Sequence, residues 1–422
     1  MTRDPSLPLR RNRDFQLLWI GQTLSALGSR VSALALPLLV LVTTGSAAKA
    51  GIVVFAGTLP LLVLTLPAGV LVDRLDRKLV MVVCDSVRAV ALGSIPVAMG
   101  FDRLTFAHVV AVAAIDGIGY VFFDVADRAA LRHIVPFEQL PAAVARLQAR
   151  EYAAILLGKP LGGVLFGLGR TLPFVFDAIS YAVSVVTVLL IRPRLQEPRI
   201  EPKRHLLAEV AEGVSWLARH RILRTTSLLG AVNDAVINAL FLVIIVAAAD
   251  RGGSSLEIGT ALAFIGVGGL VGALLSTRIA PRLTIGRAVA GSLAVVAGLT
   301  PLLAVAPHPL LIGAVYGAMF VPFPTWNAVV GAYQLAVVPD RLQARVASVR
   351  TLLNFGTVPF SALAVGFALD RASPTAIVAV FSVAMAAATV LAATSRTLRR
   401  APRFRDLGPQ EAPGDDAVLA LA

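Results

Sequence analysis

The chain has 422 residues, of which 57% are hydrophobic and 15% are charged, and its mean hydropathy is +0.80. This composition leaves too little polar surface for a soluble globule, so lipid must be the solvent. The net charge of +13 would suit a nucleic-acid-binding protein, but basic loops on one side of a membrane give the same total. We therefore expect a lipid bilayer and no nucleic acid as partner.

Apolar runs long enough to cross a hydrocarbon core of about 30 Å predict an all-α membrane protein with twelve transmembrane helices. In chain order the predicted spans are Phe15–Val42, Gly51–Val72, Leu79–Met99, Thr105–Ala126, Val144–Leu168, Leu172–Ile191, Leu223–Ala249, Ile258–Ile279, Ala288–Ala306, Leu310–Val329, Val346–Leu369 and Thr375–Thr394.

Lysine and arginine alternate between the two sides of these spans. The amino-terminal arm carries four, the central linker from Arg192 to Arg224 eight and the tail five. The six intervening loops together hold five, namely Lys49, Arg103, Arg170, Arg251 and Arg371. Positive charge accumulates on the cytoplasmic side, so both termini are expected there, in a cell (inner or plasma) membrane.

The composition divides the chain into four parts. Residues 1–191 and 223–395 are predicted to form two bundles of six helices, joined by a linker at 192–222. Leu206, Val210, Val214 and Leu217 fall on one helical stripe of the linker, which favours an amphipathic helix on the inner leaflet; a flexible linker is the alternative. Residues 396–422, rich in arginine and then in Pro, Gly and Asp, are expected to be a disordered cytoplasmic tail.

The two halves repeat the same features 203 positions apart. The recurring pairs are Gly69 and Gly272, Val135-Pro136 and Val338-Pro339, and Gly163 and Gly366. Internal duplication of membrane-length runs is typical of transporters, whose substrate site lies where the halves meet.

A basic turn follows the second span. Gly69, Asp73, Arg74, Arg77 and Lys78 match the G-x-x-x-D-R-x-x-R-K/R signature between spans two and three of the major facilitator superfamily, which this sequence resembles here. Glycine would permit close helix approach, and the cations would clamp carboxylates between helices. We expect this gating motif to include Asp124, placed to meet Arg74 or Arg77 at the inner gate.

Other segments resemble the macrolide and enterobactin exporter branch of that superfamily. They are Phe15–Gln22, Ala35–Leu39, Phe123-Asp124, Val135-Pro136 and the linker segment from Glu212 to Leu217. The resemblance implies proton-coupled efflux of amphipathic, drug-like or macrolide-like molecules by alternating access, with a proton gradient and no cofactor. The cargo does not follow from the fold.

Span five contains Gly158-Lys159-Pro160-Leu161-Gly162-Gly163. It is similar to the G-P-x-x-G-G element of antiporters in the superfamily, although Lys159 stands at the usual proline position. Gly158, Pro160, Gly162 and Gly163 are therefore predicted to form a helix-packing motif. Lys159 is a substrate-cavity candidate for an anionic cargo; snorkelling or pairing with an acid is the alternative.

Ionisable residues near mid-membrane are the proton-coupling candidates, because burial in lipid is costly without a function. Arg30 lies about fifteen residues into span one and Asp234 about eleven into span seven. In the superfamily's arrangement these spans line one cavity, so a switchable Arg30–Asp234 pair is one hypothesis and a fixed structural pair is the other. Asn233, beside Asp234, is a substrate-cavity candidate.

Asp116 in span four is the other proton-coupling candidate, with a structural partnership to Arg30 as the alternative. Tyr120, one turn further, and Tyr316 in span ten are substrate-cavity candidates, since each offers an aromatic face and a hydroxyl. Core packing is the alternative for Tyr316. Asp85 and Arg88, one helical turn apart in span three, are interpreted as a structural pair, and Asp177 in span six as a fold marker.

The sequence offers no sign of enzymatic chemistry. Cys84 is the single cysteine, and the five histidines lack metal-ligand spacing, so we expect no catalytic residues and no metal site. We expect a monomer whose partners are a small amphipathic substrate and protons. A siderophore or metabolite exporter, a lysolipid flippase and a non-transporting receptor or scaffold are the alternatives.

Overall fold

The fold comes from a computed structural model that describes residues 9–136, 139–192, 195 and 206–401. Twelve helices in this part of the chain are long and apolar enough to cross a membrane, which confirms the predicted fold class. The described residues contain no β-strand. Residues 402–422, most of the tail expected to be disordered, lie outside the described part.

The helices begin and end within a few residues of most predicted spans. They are α1 Arg13–Thr44, α2 Ala47–Arg74, α3 Arg77–Gly100, α4 Phe106–Ile134, α5 Leu140–Leu168, α6 Leu172–Leu190, α7 Leu206–Arg219, α8 Arg221–Asp250, α9 Ser255–Ile279, α10 Ile285–Leu299, α11 Leu302–Val305, α12 Pro309–Ala318, α13 Phe323–Val337, α14 Asp340–Leu369, α15 Pro374–Thr394 and α16 Arg396–Arg399.

Side-chain caps fix several of the starts. Asn12, Ser46, Asp76 and Thr105 each accept a hydrogen bond from a backbone N–H in the first turn of α1, α2, α3 and α4. These caps satisfy amide groups that have no partner within the helix. They explain why connections as short as Gly45-Ser46 and Leu75-Asp76 suffice to reverse the chain.

The tenth predicted span is interrupted. Helix α12 ends at Ala318 and α13 begins at Phe323, with turns between them. Pro322 and Pro324 flank the new start, and proline cannot donate the backbone hydrogen bond that would continue α12. The break leaves a bend at this point of the span.

The chain divides into two compact units. The first unit comprises the described residues of 1–201, 248–263 and 362–370. The second unit comprises those of 202–247, 264–361 and 371–422. In the first unit α2 packs on α4, α1 packs on α5 and α6, and α3 packs on α4 and α6. In the second unit α10 packs on α13 and α15.

The linker helix α7 is docked on the second unit. Glu212 forms an ion pair with Arg345 of α14, and a Cβ built on Gly213 would lie 2.9 Å from the Arg345 carbonyl oxygen. Leu217 is 4% exposed. Leu217 of the predicted stripe is therefore buried, whereas Val214 of the same stripe is 47% exposed. The contact with α14 does not follow from the linker sequence alone.

His220 joins α7 to α13. Its ring stacks on Trp216 with 5.0 Å between centroids and meets the Tyr333 ring edge-on at 5.7 Å. Its Nδ1 accepts a hydrogen bond from the Leu223 N–H at the start of α8. Desolvation in this aromatic cluster lowers the pKa of His220 from its usual value.

This shift predicts a pH-dependent stability. The unfolded chain binds the proton more readily than the folded chain, so folded stability falls as pH drops through about 6.5. We expect His220→Asn, which keeps a capping acceptor, to lose less thermal stability than the wild type between pH 7.5 and 5.5. His308→Asn is the control, since exposed His308 caps α12 in the same way. Equal pH profiles for wild type and His220→Asn would contradict the assignment.

Candidate functional site

A buried polar network occupies the first unit, centred on Arg88 of α3. The guanidinium is 3% exposed and donates to Asp116 Oδ1 from Nε at 2.9 Å. It also lies 3.4 Å from Asp85 Oδ1 and 3.4 Å from Ser29 Oγ. The predicted Asp85–Arg88 pair is thus present, but it belongs to a larger network.

Asp116 of α4 is the most accessible carboxylate of this network, with 22% of its side chain exposed. It accepts hydrogen bonds from Arg88 and from the hydroxyl of Tyr181, at 3.0 Å. The Arg88 guanidinium stacks on the Tyr181 ring, 4.1 Å from its centroid. Arg88 therefore fills the partner role that the sequence assigned to Arg30, and the structure corrects that alternative.

Asp177 of α6 adds a third carboxylate and is fully buried. Its Oδ1 accepts from Ser180 Oγ at 3.0 Å. Among the described residues no hydrogen-bond partner is found for Asp177 Oδ2 or for Asp85 Oδ2. Since buried carboxylate oxygens normally have partners, both oxygens are positions where a proton would relieve the energetic cost.

Gly119 explains how α3 and α4 approach each other here. A Cβ built on Gly119 would lie 2.6 Å from the Arg88 Cδ. The glycine makes room for the stem of Arg88. Tyr120, one residue on, is 40% exposed, and the Arg88 guanidinium lies 5.9 Å from its ring centroid.

Arg30 has a different described partner from the one hypothesised. Its guanidinium lies 3.5 Å from Glu151 Oε2 of α5, and both side chains are more than one third exposed. Glu151 also meets Arg150, which is paired with buried Asp127 of α4 at 3.7 Å. An exposed pair of this kind is a weak contact, which leaves Arg30 free to exchange partners.

Two residues of the basic turn act as packing residues. Buried Arg77 bonds the His133 ring at 3.0 Å and the Leu195 carbonyl at 3.2 Å. Lys78 donates to the Leu189 and Ile191 carbonyls at the end of α6, at 2.9 and 2.7 Å. Both cations thereby tie the start of α3 to the segment that leaves α6.

Asp124 and Gly69 of the predicted gating motif make other contacts than expected. Asp124 pairs with Arg128 of its own helix at 3.0 Å, rather than with Arg74 or Arg77. A Cβ on Gly69 would meet no atom of the described residues within 4 Å, so no close helix approach requires glycine there. Arg74 is exposed in the last turn of α2. The side chain of Asp73 lies outside the described residues.

The glycines of span five lie at close helix contacts. Cβ atoms built on Gly158 and Gly162 would press on Arg30 and on the Val31 backbone of α1. One on Gly163 would collide with the Ser255 carbonyl oxygen at the start of α9. Pro160 lies within the helix, and the Lys159 carbonyl faces Gly259 of α9, where a built Cβ would be 2.5 Å away.

The second unit holds a small cavity of about 30 Å³ between α8, α10, α13 and α14. Asp234 and Asn233 line it from α8. Residues that sequence reasoning missed complete the wall, with Trp326 and Asn327 from α13 and Asn354 from α14. One carboxylate, several amides and aromatic rings thus converge at this point of the second unit.

Tyr316 belongs to helix packing rather than to the cavity. It is 2% exposed and donates to the Ile237 carbonyl of α8 at 2.8 Å. Its ring meets Phe320 edge-on at 5.3 Å. The hydroxyl is therefore already used, and the substrate-cavity interpretation of Tyr316 is replaced by core packing.

The missed residues left a weak signal in the sequence. Asn354 is an amide inside an apolar run, and Trp326-Asn327 follows a proline that starts a helix. Such residues mark polar positions in a membrane span. Their convergence with Asp234 depends on how four helices pack. Within the described residues no cluster of histidine, cysteine and acidic side chains is suited to a metal ion.

Curated relatives of this chain are efflux proteins. The multidrug efflux pump Tap of Mycolicibacterium fortuitum is 28% identical over 364 residues, 82% of this chain and 86% of the relative. The protein of the same name from Mycobacterium tuberculosis is 29% identical over 418 residues, 93% and 95% of the two chains. Macrolide efflux protein A of Streptococcus pyogenes is 27% identical over 232 residues, 54% and 57%.

Solved structures share the fold. A bacterial homologue of the iron transporter ferroportin matches with a TM-score of 0.71 at 16% identity, over 92% of this chain and 98% of the other. The nucleoside transporter NupG matches with a TM-score of 0.68 at 14% identity, over 90% and 98%. At such identities the likeness concerns the fold alone.

The sequence profile of a family described as transmembrane secretion effectors matches residues 5–409, nearly the whole chain. The match agrees with the twelve spans, with the signature at Gly69 to Lys78 and with both structural neighbours. This multi-pass membrane protein therefore belongs to the transmembrane secretion effector family of the major facilitator superfamily.

Proposed function

We propose that this protein is a secondary active transporter that exports amphipathic small molecules, drug-like or macrolide-like, in exchange for protons. Family membership and two sets of relatives named as multidrug and macrolide efflux proteins support the export of such cargo. The carboxylate, amides and aromatic rings that line the cavity of the second unit are groups that could contact a small molecule there. In this proposal the proton gradient supplies the driving force and no cofactor takes part.

The charge balance around Arg88 supports proton coupling. Asp85, Asp116 and Asp177 place three carboxylates in one network with a single guanidinium. Were all three ionised, two negative charges would remain uncompensated in a network in which Asp85 and Asp177 are fully buried. Ionised groups at such depth are costly, so the network should hold protons at neutral pH.

Asp116 is the residue best placed to exchange such a proton with water. It is 22% exposed, whereas the side chain of Asp85 is 1% exposed. Arg88 bonds both carboxylates, so a small shift of the guanidinium towards Asp85 would weaken its hold on Asp116. Asp116 would then bind a proton, and conformational change would alternate the two arrangements.

Asp234 and Arg30 remain proton-coupling candidates outside the Arg88 network. Asp234 lines the cavity, where a proton and a cargo could compete for one carboxylate. Arg30 contacts Glu151 in an exposed, weak pair and could exchange this partner during transport.

The proposed membrane location and orientation of the transporter rest on the sequence. We place it in the cell membrane as a monomer with cytoplasmic termini, since the basic arm, linker and tail carry most of the loop charge. Two bundles, at residues 1–191 and 223–395, would then rock around a central pathway.

Flux into proteoliposomes tests this function. An imposed pH gradient should drive uptake of a macrolide or another amphipathic probe, and collapsing the gradient should abolish it. A receptor or scaffold would give no flux in either condition. A lysolipid flippase would move a labelled lysolipid between leaflets while leaving the aqueous probe where it was.

Asp116→Asn should lower the gradient-driven part of this flux at least about tenfold. Substrate exchange without a gradient should remain nearly unchanged. The reason is that the amide keeps hydrogen bonds but cannot carry a proton. Asp102→Asn, at a positive φ that asparagine tolerates in the loop after α3, is the matched control and should behave as wild type. Wild-type pH dependence in Asp116→Asn would exclude this carboxylate as proton carrier.

A further inference from the structure

The cavity of the second unit is lined by negative charge alone. Of the residues that line it, Asp234 is the ionisable one; its neighbours on the wall are amides, a serine, aromatic and apolar residues. Within the described part of the chain no ion pair of the Asp234 side chain is found. A carboxylate without a counter-ion in an apolar wall attracts a cation.

An acceptor next to this carboxylate is also unused. The Oδ1 of Asn354 is buried and has no hydrogen-bond partner among the described residues. Gly230 lies beside it, and a built Cβ there would be at ordinary contact distance, 3.5 Å from this oxygen and 3.6 Å from the Trp326 ring. A ligand that donates N–H bonds would satisfy both Asn354 and Asp234.

The aromatic residues of the wall suit the same ligand. Trp326 is 9% exposed and lines the cavity together with Phe323. An indole ring binds organic cations through its face and also offers apolar contact area.

A basic residue lies nearby but is engaged elsewhere. Arg350, one turn before Asn354 on α14, donates to Ser227 and to Gln334 and does not line the cavity. Its guanidinium is thus bonded to α8 and α13 outside the cavity lining. The cavity itself presents a negative and aromatic surface, which argues against an anionic cargo.

We propose that Asp234, Asn354 and Trp326 form a binding site for the protonated amine of an amphipathic organic cation. The inference rests on the proposed function and names its substrate class. Exchange follows directly, since the carboxylate of Asp234 binds either the ammonium group or a proton. A cation leaving on one side of the membrane would free this carboxylate for the proton that drives the return.

Two matched probes test the proposal on the purified full-length protein. One is a dansyl fluorophore with an alkyl chain ending in a primary amine, and the other is the same molecule acetylated on that amine. At pH 7.5 only the first carries a positive charge. We expect the amine to bind at least about tenfold more tightly, as measured by dansyl fluorescence, because acetylation removes the ammonium that Asp234 recognises.

Variants locate the site. Asp234→Asn should abolish the preference for the amine while leaving the acetylated probe within about twofold of its wild-type affinity. Asp250→Asn, at the exposed end of the same helix, should keep the preference. Trp326→Leu should weaken both probes, the amine more. If Asp234→Asn does not fold, Asn354→Ala decides, and it should lower the preference severalfold.

Each other outcome overturns the inference. Equal binding of both probes by the wild type would show that charge is not recognised, and a preference that survives Asp234→Asn or Asn354→Ala would place the amine elsewhere. The proposed function is tested separately. Gradient-driven flux of neutral or anionic probes alone would leave export intact and refute the cationic substrate class, whereas absence of any flux would refute the transporter itself.

Discussion

Replacing Arg88 with methionine is expected to destabilise the protein more than any other single change proposed here. The substitution would leave Asp85 and Asp116 without their common guanidinium, and Tyr181 without its stacked cation. Breaking a buried ion pair by removing one partner costs about 3–5 kcal/mol. We expect the melting temperature to fall by roughly 10 °C or the folded protein to be lost.

The control for this variant is Arg103→Met, the same chemical change in the exposed loop after α3. It should shift the melting temperature little, since exposed charges contribute little to stability. Wild-type stability in Arg88→Met would contradict the central position of Arg88.

A double-mutant cycle separates the network from simple loss of a large side chain. Asp116→Asn in the Arg88→Met background should cost less than it does alone, because the carboxylate it removes no longer has its guanidinium. Residues in one hydrogen-bond network show coupling of about 0.5–3 kcal/mol. Additive effects of the two substitutions would mean that Arg88 and Asp116 do not stabilise each other.

Much of the fold follows from the sequence because span length and hydrophobicity are local properties. Ten of the twelve predicted spans coincide with one observed helix each, and the first differs from α1 by two residues at each end. The ninth span is divided between α10 and α11, and the tenth between α12 and α13. The break between α12 and α13 was missed, although Pro322 and Pro324 were visible there. Prolines are tolerated inside other spans, such as Pro60 and Pro67 in α2, so their presence alone does not mark an interruption.

The sequence identified individual residues of the site but not the contacts between them. Burial depth identified Asp116 and Asp234 as unusual groups, since depth follows from position in a span. Their partners depend on which faces of different helices meet. Arg88 lies one turn from Asp85, which favoured a local pair, and the contact with Asp116 on another helix could not be read from spacing. Asn354 and Trp326 join Asp234 for the same reason.

The basic turn shows the limit of a motif match. Its residues match a signature at every position, yet Gly69 meets no described neighbour and Asp124 pairs within its own helix. Arg77 and Lys78 instead bond the segment that follows α6. Cations at this turn can therefore contribute to the stability of the first unit as well as to gating, and a loss of transport on their removal needs a stability measurement beside it.

Gly163→Ala is the second variant with a large expected effect. A Cβ at this position would collide with the Ser255 carbonyl oxygen and lie 3.1 Å from the Leu256 Cα at the start of α9. Both obstacles are backbone, which cannot turn away as a side chain would. Overpacking costs about 1–3 kcal/mol, and this exceeds the gain of about 1 kcal/mol from alanine's higher helix propensity.

The control is Gly167→Ala, one turn further along α5, where a built Cβ meets nothing within 4 Å among the described residues. It makes the same substitution in the same helix and should be neutral or slightly stabilising. We therefore expect Gly163→Ala to melt several degrees below Gly167→Ala. We also expect it to transport severalfold more slowly, because the contact between α5 and the start of α9 lies within one compact unit that the added Cβ would distort.

Gly259→Ala probes the contact from the other helix, since its Cβ would lie 2.5 Å from the Lys159 carbonyl and 3.1 Å from the Gly163 Cα. Once one alanine has separated the helices, the second has less contact left to disturb. The double variant should therefore cost less than the sum of the two single variants. Equal stability and activity of Gly163→Ala and Gly167→Ala would show that this approach of the backbones contributes to neither property.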